Sequence, residues 1–160
     1  MPDDIMIKEI PKEERDKLEL ILDRSFEGMY LWHSKRTLRD VDKVFAAMMD
    51  DEFAGLVMLK PLDYAIGYIY YIAVHPKFRQ KGVASRLLDF SLDNFSKIKY
   101  KEVYATVEKV NYASLALFRS RGFTERSLGD LSSQYGRIRA LSMLAKMRFV
   151  PGEIILYKSL

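Results

Sequence analysis

Apolar and polar positions along the chain fall into two kinds of run: continuous or alternating stretches with the period of strands, and stretches repeating every three to four residues like helices. Residues 68–74, Tyr-Ile-Tyr-Tyr-Ile-Ala-Val, are almost entirely apolar or aromatic, which predicts a central strand covered on both faces. Pro76 ends it, because proline lacks the N–H that a sheet ladder needs. In the next stretch Ala84, Leu87, Leu88, Ser91, Leu92 and Phe95 share one helical face and Arg86, Asp89, Asp93 and Lys97 lie opposite, which predicts a surface helix.

The same reading places the other elements. Ile5, Ile7 and Ile10 predict a first strand; Pro11, Glu13 and Glu14 open a helix whose buried stripe is Leu18, Ile21, Leu22 and Ser25. Residues 26–40, where Phe26, Tyr30, Leu31, Trp32 and Leu38 stand among charges, read as a loop and a second short helix. Residues 44–49 and 53–59 are apolar runs around Asp50, Asp51 and Glu52, a hairpin, and a second turn at residues 60–63 leads into the central strand. Residues 101–108 alternate, with Val103, Ala105 and Val107 on one face and Tyr104, Thr106 and Glu108 on the other.

Asn111 then caps a helix, Gly122 closes it in the left-handed conformation, and Phe123 is placed to pack on Phe118. Residues 124–129 and 153–158 read as the last two strands, with Pro151 and Gly152 as the turn before the second. Residues 130–150 are longer than a simple turn needs. In them Ile138, Leu141, Leu144 and Ala145 predict the apolar side of a basic helix over residues 137–148, packed on the sheet or on a second subunit. An acidic partner, nucleic acid or a membrane surface is the other reading of such a helix.

Composition narrows the class. At 160 residues there is room for one domain with a sizeable core, and no repeat, low-complexity run or second domain is visible. No apolar stretch reaches the roughly 18 residues of a membrane span, and the start, Met1-Pro2-Asp3-Asp4, is acidic where a secretory signal is basic. A soluble, cytoplasmic protein is expected. The absence of cysteine excludes disulfides, thiolate metal sites and a cysteine nucleophile. His33 and His75 have no ligand spacing, so no metal is expected. Scarce asparagine and glutamine among abundant charges lean toward a thermophile's composition. The net charge of +4 resides in residues 131–160, and the rest sums to zero.

Between the central strand and its helix lies Arg79-Gln80-Lys81-Gly82-Val83-Ala84. Gly82 lets a ligand approach the backbone, the first-turn amides point outward, and the helix dipole adds about half a positive charge there. A phosphate or pyrophosphate is the natural guest. The spacing Arg-x-x-Gly-x-Ala resembles the pyrophosphate loop of the GNAT family of N-acetyltransferases. Residues 111–123 resemble its second motif, Asn-x-x-(Ala/Ser)-x-x-(Leu/Phe)-(Tyr/Phe)-x-x-x-Gly-Phe, in the expected order and with a strand between.

The resemblance rests on residues 44–125. It implies an α/β (α+β) fold with a mixed, mostly antiparallel seven-stranded sheet, about four helices and an extended segment between the last two strands. It implies acetyl-CoA as acetyl donor, with no metal. Backbone around Ile72, Ala73 and Val74 would hold the pantetheine and polarise the acetyl carbonyl, which needs no special side chain. Arg79, Gln80, Lys81, Gly82, Val83, Ala84 and Ser85 would surround the pyrophosphate, and Asn111 and Phe118 would complete the donor site. Residues 26–40 would close over the acceptor, unless their aromatic residues serve packing alone.

Direct attack by an amine on a thioester needs a base for the amine and a proton for the departing thiolate. The sequence departs from the family at both positions. The frequent tyrosine acid matches Phe118, which has no proton to give, and the glutamate base of some members aligns near Thr106. Glu108, two residues on and on the same strand face, is the candidate base, or else a solvated strand-end carboxylate. Tyr112 is the candidate acid, with Tyr70, Tyr71 and Tyr135 as stand-ins, although a thiolate can leave unaided because thiols are fairly acidic. Glu52, Asp63 and His75 are further alternatives.

The expected acceptor is a primary amine: a protein N-terminus, a lysine, or a small amine such as a polyamine. Asp50, Asp51, Glu52 and Asp63 would favour a cationic amine, though turn solvation explains them equally well. A homodimer is the assembly considered; no membrane partner is expected, and nucleic acid is the least favoured. The rival reading, prompted by Phe118, is a non-catalytic acyl-CoA-binding or regulatory module.

Overall fold

The chain order is β1 (Met6–Glu9), a 3-10 helix (Lys12–Leu18), α1 (Glu19–Ser25), α2 (Gly28–Asp40), β2 (Lys43–Met49), β3 (Glu52–Asp63), β4 (Ile66–Val74) and a 3-10 turn (Pro76–Phe78). It continues with α3 (Val83–Lys97), β5 (Glu102–Glu108), α4 (Tyr112–Ser120), β6 (Thr124–Arg126), α5 (Leu128–Tyr135), α6 (Arg137–Met147) and β7 (Glu153–Ser159). This computed structural model describes residues 4–160; the acidic start over residues 1–3 lies outside the described residues.

The strands form one seven-stranded sheet in the order β1-β2-β3-β4-β5-β7-β6. Pairs β1/β2, β2/β3, β5/β7 and β6/β7 are antiparallel and β4/β5 is parallel, so the expected mixed sheet is present. A parallel neighbour requires a crossover, and α3 supplies it. Among the described residues there are six α-helices where about four were expected. Among the described residues no helix is long and apolar enough to cross a membrane.

The chain divides into two compact units, one holding the chain up to Lys60 with Tyr71–Asn94, the other Pro61–Tyr70 with Phe95–Leu160. In the first, Leu18, Ile21 and Leu22 are buried as their spacing predicts, but the turn after Pro11 is a 3-10 helix before α1 begins. Residues 28–40 are helical throughout, so the loop expected there shrinks to the α1–α2 corner. The buried Arg15 guanidinium donates to Leu38 O at 3.0 Å and Val41 O at 2.7 Å, satisfying its charge with carbonyls at the end of α2. Helix α3 lies close because β3 carries Gly55: a Cβ there would stand 2.8 Å from Ala73 O and 3.0 Å from Val83 Cγ1.

In the second unit, β4 pairs with β5 from Ile66↔Glu102 to Ile69↔Ala105, and β5 pairs with β7 along its whole length. Its core is Leu62, Ile66, Tyr68, Tyr104, Leu131, Ala140, Met143, Met147 and Ile155. Burial of Leu62 keeps residues 60–63 in β3, and the predicted turn falls later, at Ala65, whose φ is +56°. The sixth strand stops at Arg126 rather than residue 129. Ser127 Oγ accepts from Asp130 N (3.1 Å) while the Asp130 carboxylate accepts from Ser127 N (2.8 Å), a capping box that starts α5. The long segment is therefore two helices. Of the apolar side assigned to the second, Leu144 packs on the core but the rest does not: Ala140, Met143 and Met147 face inward, whereas Ile138 and Leu141 are 86% and 66% exposed and Ala145 is exposed.

Candidate functional site

The loop opening α3 belongs to the first unit. Val74 ends β4; His75 N donates to Ala54 O at 2.8 Å, and Lys77 N donates to His75 Nδ1 at 3.1 Å as Pro76 starts its 3-10 turn. His75 is thereby a turn-capping residue. Gln80 and Gly82 take φ of +61° and +82°, and α3's first backbone bond runs from Arg86 N to Gly82 O at 3.0 Å. The amides of Val83, Ala84 and Ser85 precede that bond and have no acceptor within the helix. Val83 is buried, Ala84 and Ser85 are half-buried, and Gln80, Lys81 and Gly82 are exposed. Among the described residues, apart from the glycine and its chain neighbours, no atom lies within 4 Å of where a Cβ on Gly82 would stand. Positive helix end, first-turn amides and open space fit a diphosphate. Immediately before the loop, Ala73 is buried and Ile72 and Val74 are half-buried.

Arg79 differs from its neighbours. Its Nε donates to Val74 O at 3.2 Å and its Nη2 to Arg24 O at 3.3 Å, so the guanidinium is engaged by main chain.

Asn111, Phe118, Tyr112, Glu108, Thr106, Tyr70, Tyr135 and Asp63 lie in the second unit, while Tyr71, Asp50, Asp51 and Glu52 lie in the first. The Asn111 side chain accepts from Ser114 N at 3.2 Å and caps α4. Phe118 is buried against Phe123 with centroids 5.0 Å apart, and Gly122 closes the helix at φ +86°, both as the spacing predicts. Tyr112, in the first turn of α4, is 75% exposed. Glu108 is exposed at the end of β5, opposite Glu153 in the register.

Thr106 is held: its hydroxyl lies 2.6 Å from Tyr68 OH, which donates to Met147 O at 3.2 Å. Tyr135 donates to the Glu102 carboxylate and lies 2.8 Å from Tyr104 OH. Burial first, then the hydrogen bond to Glu102, pushes the Tyr135 phenol far above its usual range, and burial also raises Tyr104. Neither is suited to yielding a proton near neutrality. Tyr70 packs on Tyr68, and Tyr71 packs on Phe26 at 5.4 Å.

The acidic residues are largely committed. Glu52 accepts from Lys77 at 2.6 Å, Asp50 and Asp51 form the β2–β3 turn at positive φ, and Asp63 pairs with Arg139 at 2.8 Å. The Tyr64 N–H and then Arg139 hold the Asp63 carboxyl below its usual range. Lys146 donates to Leu62 O at 3.1 Å, so two cations of the basic helix serve internal contacts, which weakens its reading as a nucleic-acid arm. Among the described residues no group of three or more His, Cys, Asp or Glu could hold a metal ion. Sequence reasoning missed Gly55 and the Arg79 contacts; only the glycine inside an apolar run signalled a close backbone approach.

Over 74 residues, 46% of this chain and 41% of the relative, the chain is 32% identical to an L-2,4-diaminobutyric acid acetyltransferase of Vibrio parahaemolyticus. Over 91 residues, 49% and 54% of the two chains, it is 29% identical to an N-alpha-acetyltransferase of Saccharolobus solfataricus. The chain thus spans about half the length of the curated relatives it matches. The paia N-acetyltransferase of Thermoplasma acidophilum, solved in complex with coenzyme A, shares the fold with a TM-score of 0.72 over 98% of this chain and 99% of that one, at 15% identity. A model of the acetyltransferase (GNAT) family matches residues 7–123, so the chain belongs to that family.

Proposed function

We propose that residues 1–160 act as a single N-acetyltransferase domain that uses acetyl-CoA to acetylate a primary amine, with both substrates bound together. The observation that carries this is the loop over residues 79–85: a positive-φ glycine facing open space at the start of a 15-residue helix, in a chain of this family. The amides of residues 82–85, with Lys81, receive the pyrophosphate, and main chain over residues 72–74 faces the pantetheine and the acetyl carbonyl. Asn111 and Phe118 serve the donor through α4, which one caps and the other seats.

Acetyl-CoA supplies the acetyl thioester. Glu108 takes the proton from the attacking amine as the C–N bond forms and the C–S bond breaks, and Tyr112 protonates the leaving thiolate. Exposure of both side chains supports these roles, as does the engagement of Thr106 by Tyr68. The acceptor is a protein N-terminus, a lysine or a small amine; the two curated relatives are named for L-2,4-diaminobutyric acid and for N-alpha acetylation. The cytoplasm, where acetyl-CoA is available, is the proposed compartment.

The test is calorimetric titration of acetyl-CoA into wild type and Gly82→Trp, followed by thiol release across a panel of amines. The added ring has open space to enter, so circular dichroism should report a folded variant. Micromolar binding lost in that variant, with amine-dependent thiol release from wild type, is the expected result. No binding to wild type overturns the reading. Binding without turnover on any amine selects the acyl-CoA-binding module, which the buried, hydroxyl-free Phe118 favours.

A further inference from the structure

The Arg79 side chain is placed unlike the rest of its loop. Its fork spans two main-chain carbonyls, that of Val74 at the end of β4 and that of Arg24 near the end of α1. The last α1 backbone bond is Phe26 N to Leu22 O at 3.0 Å, so Arg24 O is one of the terminal carbonyls that a helix leaves for an outside donor. A cation there also meets the negative end of the helix. Two more contacts converge on the same corner. Ser25 Oγ, which donates to Ile21 O, stands 3.5 Å from Val74 O, and the Phe26 ring meets the Tyr71 ring edge-on at 5.4 Å. Beyond the corner, Gly28 at φ +57° starts α2, whose first turns expose Met29 and Trp32.

We infer that Arg79 is a positioning residue: its guanidinium ties the α1–α2 corner to the loop and strand end that receive the donor, so that filling the loop orders the start of α2. This rests on the donor reading of the loop, while the tie itself stands without it. If the loop's position and the corner's order are linked, donor binding and corner order must favour each other reciprocally. The guanidinium offers Nε and Nη2 as separate donors in fixed directions, one to each carbonyl, whereas an ammonium is one donor centre on a flexible stem, so lysine keeps the charge and loses the rigid bracket.

The experiment is hydrogen exchange of wild type, Arg79→Lys, Arg79→Gln and Ser25→Ala, each with and without coenzyme A, alongside calorimetric Kd values at two salt concentrations. Coenzyme A is expected to slow exchange over residues 22–32 of wild type at least tenfold. In Arg79→Lys that protection should disappear and exchange of the same residues in the ligand-free protein should rise, with any weakening of the Kd no larger than the protection lost. Ser25→Ala, which touches the corner from its other side, should reproduce the ligand-free change more weakly. With turnover, Arg79→Lys should raise the amine KM more than it lowers kcat.

A Kd weakened tenfold or more in Arg79→Gln but restored in Arg79→Lys, with a shallower salt dependence in the Gln variant, would make Arg79 a phosphate ligand and sink the proposal. Unchanged corner protection in Arg79→Lys would sink it too. If wild type binds no coenzyme A, the donor reading fails, and the ligand-free exchange of Arg79→Lys against wild type still decides the bracket.

Discussion

The loop over residues 79–85 and the α5–α6 segment are secured differently. The first unit carries 14 basic and 16 acidic residues, net −2, and its loop is held by main chain: Gly82 supplies the turn, and carbonyls of Val74 and Arg24 hold Arg79. The second carries 12 basic and 6 acidic residues, net +6, and its added helices are held by side chains: Tyr68 to Met147 O, Tyr135 to Glu102 and Tyr104, Arg139 to Asp63. A loop that must present amides to a ligand cannot spend them on its own fold. A segment that only has to stay put can be pinned by whatever hydroxyls and ions the core offers, and it will depend on them.

The largest effect should come from the inner face of α6. Met143→Ala removes a fully buried side chain and should lower stability by about 2–5 kcal/mol in urea unfolding; a loss under about 1 kcal/mol would mean that the segment is not core. Next come the glycines. Gly55→Ala should cost about 1–3 kcal/mol, because the new methyl meets the Ala73 carbonyl, which cannot swing aside. Gly82→Ala meets nothing and should cost only the positive-φ penalty of about 1–2 kcal/mol. Equal losses at the two positions would erase the distinction between a packing glycine and a presenting one.

Tyr68→Phe should cost about 1–2 kcal/mol, since Thr106 and the Met147 carbonyl lose their partner in a buried place. The phenol pair has a pH signature. Tyr104 and Tyr135 are raised in the fold, so the unfolded chain releases these protons first as pH rises. Their contribution is complete below the usual phenol range near pH 10 and declines above it. Ultraviolet titration should find these phenols silent until alkaline unfolding, and Glu102→Gln should alter that transition. Smallest of all, Ile138→Ala on the outer face of α6 should move stability by no more than about 0.5 kcal/mol.

Much of the strand-loop-helix was legible in residue order. Strand, loop and α3 are contiguous, so the apolar run before Pro76, Gly82 and the face beginning at Ala84 sufficed to place them. The same holds for α4, whose cap Asn111, closing Gly122 and Phe118–Phe123 contact are all local. What misled was composition without context: Ile138 and Leu141 looked like the buried side of α6, but Ala140 and Met143 were the residues that faced Tyr68 and Ile155. Helical periodicity marks an apolar stripe; it does not tell which of two overlapping stripes meets a neighbour.

By itself the sequence determined the strand-loop-helix with its glycine turn, the capped second motif and the seven strands, because each depends on backbone conformations and periodicities set within a few residues. Only the tertiary structure decided that Thr106 is occupied by Tyr68, that Tyr135 is locked to Glu102, and that Arg79 reaches back to Arg24 across 55 positions. A hydrogen bond is chosen by proximity in space, and proximity between distant residues is a property of the folded chain, not of any segment of it.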